Sequence, residues 1–300
     1  MNGITQKIPA TTGQMKQINR ILADALEKVV TGLGLDKDGA QRVLEHGDEL
    51  VSNVGEVALA TLKDLSVSNK YKNEEVKSAY GYLSGYAKPK GIAQQIKIIH
   101  ELFPEVTWGY FRPNMDDVVL PNDTDGWFAI PKWQSLAPTY GEAVELVMKK
   151  LSETRSGRFH NYREGRLGPD RLRHSAETSS VFQKLAEEQD GYDILVVAAQ
   201  FGLRHRGRSV RRARECFSTN EFGLGAFAIG IMLLTHPERL AHYDDLWIDC
   251  AGDEFAPGAD GDFSESPVFS FGGGKLRFDA SDVSQARGYY GSVSGFLPQC

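Results

Sequence analysis

The spacing of apolar residues changes along this chain, and that change limits the folds open to it. In "GQMKQINRILADALEKVVTGL", Met15, Ile18, Leu22, Leu26 and Val29 recur every three or four positions behind a Thr11-Thr12 start signal. That is the period of an amphipathic helix, and Gly32 and Gly34 end it. "DGAQRVLEHGDELVSNVGEVALATLKDL" continues the period, and "NEEVKSAYGYLSGY" and "KGIAQQIKIIHELF" predict two shorter helices, the last closed by Pro104. Towards the other end, "PVFSFGGGKLRF" places Phe269 and Phe271 on alternate positions, and Leu276 and Phe278 resume the alternation after three glycines. Period two around a glycine break predicts a β-hairpin. Helices first and hairpins last make the chain α+β, with a helical N-terminal domain over 1–106 and a mixed domain over 107–300.

Between these ends the texture is mixed. "VTWGYFRPN" marks a connection, "GWFAIPKW" a strand that shares a sheet with the C-terminal strands, and "YGEAVELVMKKL" a helix. "SGRFHNYREGRLGPDRLRHS" is basic and predicts loops, after which "SSVFQKLAEEQ" is a helix. The β-branched run in "YDILVVAAQFG" predicts a buried strand. "SVRRAREC" is a short basic helix, and "GLGAFAIGIMLLTHPERL", apolar nearly all round, a buried one. "DLWIDCAG" is a further strand before the hairpin.

Composition excludes several classes. No stretch has the roughly 18 to 20 apolar residues that cross a bilayer, so no membrane span is expected. "MNGITQKIPATTGQ" lacks the apolar run of a secretory signal, which makes a cytoplasmic location the default while leaving surface display open. The 3 cysteines, Cys216, Cys250 and Cys300, are too few and scattered for a disulfide framework or a zinc site. The net charge of −6 conceals a separation. Residues 155–214 carry 13 basic and 7 acidic side chains, and residues 241–300 carry 3 and 10. Such a split steers a partner or laces parts of one fold together.

Three groupings invite a chemical reading. Arg204, Arg206, Arg208, Arg211, Arg212 and Arg214 offer a phosphate-binding cluster, but without interleaved aromatic residues for base stacking. Nucleic-acid binding through Arg204–Arg214 is therefore the alternative function, set against an internal network with the acidic C-terminal part. Asp253, Glu254, Asp260 and Asp262 present oxygen ligands suited to calcium, at a spacing that does not match an EF-hand. His236, His242 and Asp244, and His160 with Glu164, are neighbours of the sort a chain with 7 histidines and 40 acids produces by chance. No nucleophile elbow, phosphate loop or metalloprotease helix is present, so no enzyme activity, cofactor or metal is expected.

The combination "WIDCAGDE", "DGDF", "FSF", "KLRFDASDV" and "YYGSVSGFLP" resembles the C-terminal part of C-type-lectin-fold proteins related to formylglycine-generating enzymes. More narrowly, it is similar to the variable proteins of diversity-generating retroelements, in which an error-prone copy of a template rewrites the 3′ end of one gene. The resemblance covers residues 107–300 and is sharpest from Trp247 onward. It implies a C-type-lectin-like domain with a variable region at about 262–296, and a non-enzymatic display function for a protein or other macromolecular ligand of unknown identity. It carries no oligomeric state. Strand alternation puts Phe269, Phe271 and Phe278 inward and Val268, Ser270, Gly272, Arg277 and Asp279 outward. With Ser264, Gly273, Ser284, Arg287, Gly288 and Tyr289 these are the candidate ligand-binding residues. Tyr, Ser and Gly suit an adaptable paratope. All are reachable from an Asn codon by changes at adenine. Glu265, Lys275 and Gln285 are not, and lie outside the site. The sequence lacks the paired cysteines and calcium motif of sugar-binding lectins, and a cysteine pair for formylglycine-type oxidation.

Overall fold

The computed structural model describes residues 10–66, 68–107, 109, 120–258 and 260–297. Cys300 and most of the connection expected at 106–114 lie outside them. The chain forms two compact units that divide at Ser68/Asn69. The boundary expected at 106 is therefore corrected: residues 69–106 belong to the second unit, because Ile96, Ile99 and Phe103 are buried in its core. The chain is α+β, with helices predominating early and strands late.

The first unit holds α1 (Thr12–Gly32), α2 (Lys37–Glu45) and α3 (Gly47–Ser66). Helix α1 starts with a reciprocal cap, in which the Thr11 side chain accepts from the Gln14 N–H and Gln14 accepts from the Thr11 N–H. No residue of α1 or α2 is buried. The single period read across 38–65 is interrupted at His46, where α2 ends and α3 begins.

In the second unit, residues 69–90 form an extended strap rather than the helix expected from "NEEVKSAYGYLSGY". Its backbone groups are claimed by the body of the unit. The Val76 N–H donates to Gly207 O (2.8 Å), and the Leu83 and Ser84 N–H groups donate to the Asp245 carboxylate (2.8 and 3.0 Å). Helix propensity yields to these tertiary bonds. The strap leads into α4 (Ile92–Leu102).

Then follow β1 (Gly126–Pro131), α5 (Tyr140–Thr154), β2 (Phe159–Asn161), β3 (Leu172–His174), α6 (Ala176–Glu188) and β4 (Ile194–Gln200). The last stretch holds α7 (Val210–Cys216), β5 (Glu221–Gly223), α8 (Ala226–Thr235), β6 (Trp247–Asp249), β7 (Asp253–Phe255), β8 (Glu265–Gly272), β9 (Lys275–Asp282), β10 (Tyr290–Ser292) and β11 (Ser294–Phe296). The basic segment expected to be loop-rich as far as Asp170 contributes β2, and β3 follows just beyond it, each too short to carry a legible alternation. Among the described residues no helix is long and apolar enough to cross a membrane.

One sheet runs β1-β4-β11-β5, all antiparallel. The expectation that "GWFAIPKW" shares a sheet with C-terminal strands holds, with β4 between β1 and β11. The second sheet runs β10-β6-β8-β7-β3, with β9 along the other edge of β8 and β2 beside β9. Val293, fully buried, joins β10 in one sheet to β11 in the other. Helix α8 is buried along its whole length and crosses α5 closely. A side chain at Gly230 would meet Val147 at 2.4 Å, so only glycine permits that crossing. The hairpin turn works by the same freedom: Gly273 and Gly274 have φ of 59° and 72°, as a two-residue turn matching strand twist requires.

Candidate functional site

Strands β8 and β9 pair over their full length, with Phe269 opposite Phe278, Val268 opposite Asp279 and Ser270 opposite Arg277. Directly opposed residues share a face. One face is therefore core: Phe269, Leu276 and Phe278 are buried, the two rings 5.0 Å apart. Phe271, expected in the core, is only half-buried, since it sits beside the open glycine turn. The other face carries Val268, Ser270, Arg277 and Asp279, as the alternation predicts.

That second face is not all solvent, which corrects the expectation for three residues. Val268 is 3% and Ser270 8% exposed, and Gly272 is buried. Strand β8 has β6 and β7 along one edge and β9 along the other, so Val268 is flanked on this face by Asp249 and Asp279, and Ser270 by Arg277. Gly272 lies under Arg277, whose guanidinium carbon sits where a Cβ at 272 would come within 2.9 Å. Arg277 folds back over the turn and reaches Gly273 as well. Gly273 is exposed, and Ser264, Arg277, Asp279, Ser284, Arg287, Gly288 and Tyr289 are partly exposed. Asp279 forms an ion pair with Arg163 at 2.8 Å. Gly288 O accepts from the Ser78 hydroxyl on the strap.

The structure adds residues that the sequence reading passed over. Trp247 and Asp249 on β6 pair in register with Tyr290 and Ser292 on β10, on the face opposite Ile248. Trp247 lies 4.9 Å from the Tyr289 ring and 5.3 Å from the Tyr290 ring. Tyr80 from the strap and Tyr243 extend this cluster at 6.0 and 6.1 Å. Arg287 stands over the Tyr290 ring at 5.3 Å. Beneath lies Asp249, 5% exposed, with no hydrogen bond to its carboxylate, beside a Ser292 hydroxyl that is buried and also unpartnered among the described residues. The alternation of "WID", with an acid on the face opposite a core isoleucine, was the signal available.

Burial pushes the Asp249 carboxyl up to about 7, and Arg287 only partly offsets it. A folded pKa above the unfolded value of about 4 means that the folded state holds its proton more tightly. Stability is then lost as pH rises from about 4 to about 7. Asp249→Asn should gain on the wild type across that window and hold a constant difference above it. Thermal melts from pH 4 to 8 check this; a difference independent of pH would contradict it.

The other groupings resolve into structure. The Arg204–Arg214 cluster is an internal network, but its acids are not those of the C-terminal part. Arg204 pairs with Asp123 and Glu221, Arg208 and Arg212 with Glu75, Arg211 with Glu74, and Arg212 also with Glu215. Arg206 donates to Tyr80 O, and Arg214 to the carbonyls of Ala251 and Asp253. Guanidinium groups so engaged have fewer donors left for phosphates. Among the described residues no group of three or more His, Cys, Asp or Glu gathers as a metal site. Asp253 is fully buried and caps α8 in place of the side chain that Gly225 lacks. It accepts from the Ala226 N–H (2.7 Å) and the Tyr140 hydroxyl (2.9 Å). Asp260 and Asp262 are exposed. His236 Nε2 accepts from the Lys90 N–H, and burial lowers its pKa to about 4.

Comparison with known proteins found no matching family model, no matching curated protein and no matching solved structure.

Proposed function

We propose that this chain is a non-enzymatic ligand-binding protein whose C-terminal face is the binding surface, diversified by retroelement-directed change of its codons. The observation that carries this reading is the division of labour across β8, β9 and the following loop. Phe269, Leu276 and Phe278 secure the core from one side, while Arg277, Asp279, Ser284, Arg287 and Tyr289 stand partly exposed and add little to it. A rigid scaffold under replaceable side chains is the arrangement that a display surface requires. The aromatic cluster of Trp247, Tyr289 and Tyr290 supports the reading, since such rings supply rigid contact area and dominate binding energy at interfaces. The domain is read as C-type-lectin-like on the sequence resemblance. Its partner is a protein or other macromolecule, and its polypeptide needs no cofactor for that role. Sequencing the corresponding codons in sibling strains tests the proposal.

A further inference from the structure

A cleft of about 790 Å³ opens in the second unit between the end of β1, strand β3 and helix α6, and it shares no residue with the candidate display face. One wall is a ladder of rings. Trp133 meets Tyr140 edge-on at 6.0 Å, Tyr140 lies 4.0 Å from the His174 ring, and His174 stacks on Phe182 at 5.6 Å and 10°. Leu172 and Leu195 add an apolar floor. Pockets of this size and lining hold small organic ligands, oriented by a few polar groups.

The polar groups here specify the ligand. Arg173 is held by Glu254 at 2.8 Å and lies over the Phe263 ring, and the Asp193 carboxylate accepts from the Thr107 hydroxyl at 2.9 Å. Lys132, half-buried in the lining, has no acidic partner among the described residues. His174 is neutral, because burial lowers its pKa to about 4. Among the described residues its ring makes no hydrogen bond, and the nearest carboxylate, Asp253, is 3.7 Å away, beyond bonding reach. The cleft thus offers flat apolar walls, a neutral imidazole and a cation, Lys132, that meets no acid among the described residues, while Asp193, the acid in the lining, is bonded by the Thr107 hydroxyl. We propose that it binds a planar aromatic acid, with the ring against the Trp133–Phe182 ladder and the anionic group at Lys132. This site stands independently of whether the 264–289 face is diversified.

The test is calorimetric titration of the full chain with indole-3-acetate and with its neutral amide. The acid should bind saturably at one site, and about tenfold more tightly than the amide. Lys132→Gln should bind both alike, at the amide's affinity. Ser179→Trp, which places an indole in the cleft from an exposed position on α6, should abolish binding with the melting temperature unchanged. Absence of saturable binding by the acid would overturn the proposal, as would acid binding that Lys132→Gln leaves unchanged. Should Ser179→Trp fail to fold, the Lys132→Gln comparison decides alone.

Discussion

Replacing Glu221 by glutamine should destabilise the second unit by about 3 to 5 kcal/mol, the range for breaking a buried charge pair from one side. Its carboxylate is buried where β5 meets β11 and gathers donors from four places. It receives Arg204 Nε at 3.1 Å, His205 Nε2 at 2.7 Å, the Ser294 hydroxyl at 2.6 Å and the Ser218 N–H at 3.0 Å. Arg208 donates to His205 Nδ1 at 3.0 Å, so that nitrogen is unprotonated and the neutral ring donates from Nε2. Burial alone would raise the Glu221 pKa, but the His205 bond and the Arg204 charge outweigh it and hold the carboxyl at about 2. A folded value below the unfolded one of about 4.3 gives stability that is complete above that pH and lost as pH falls towards 2. The gap between wild type and Glu221→Gln in chemical denaturation should accordingly narrow on acidification from pH 5 to 2. A gap below about 1 kcal/mol at neutral pH would show that the cluster does not secure the C-terminal strand.

Phe269→Ala is the second large effect, with an expected loss of about 3 to 5 kcal/mol. The ring is fully buried, packs on Phe278, and sits on a central strand opposite Ile248. The cavity it leaves is bounded by two paired strands whose spacing is fixed by their hydrogen bonds, so little collapse can refill it. Tyr289→Ala, on the other side of the same sheet, should cost no more than about 1 kcal/mol, since the ring is partly exposed and gives up contacts with neighbouring rings rather than core packing. Equal losses from the two substitutions, measured by thermal melts, would contradict the separation of scaffold from surface.

Where one physical rule governed an element, the sequence disclosed it. The long helices, the buried strand Ile194–Gln200, the wholly buried α8 and the β8–β9 hairpin each have a period or a composition that no tertiary contact overrides. The strap at 69–90 did not, because its polar, glycine-containing sequence has a weak helical period, and its conformation follows from carboxylates and carbonyls far along the chain. The arginine run was legible as a network but not in its partners, since Glu74, Glu75 and Glu215 reach it only through the fold. Alternation assigned Val268 and Ser270 to the right face of β8. It could not show that this face is covered, because coverage depends on neighbouring strands. The same limit hid the Trp247–Tyr289–Tyr290 cluster, which assembles across β6, β10 and a loop.

The display reading makes a demand on the gene that no ordinary surface hairpin makes. The most direct measurement is to sequence codons 262–296 in many sibling strains. Substitutions should concentrate at Ser264, Gly273, Arg277, Asp279, Ser284, Arg287, Gly288 and Tyr289, at adenine-templated positions. Phe269, Leu276 and Phe278 should stay unchanged, and the covered Val268, Ser270 and Gly272 should be restricted to small residues. An even scatter of silent and conservative changes over core and surface codons would contradict it and leave an α+β protein with an ordinary hairpin.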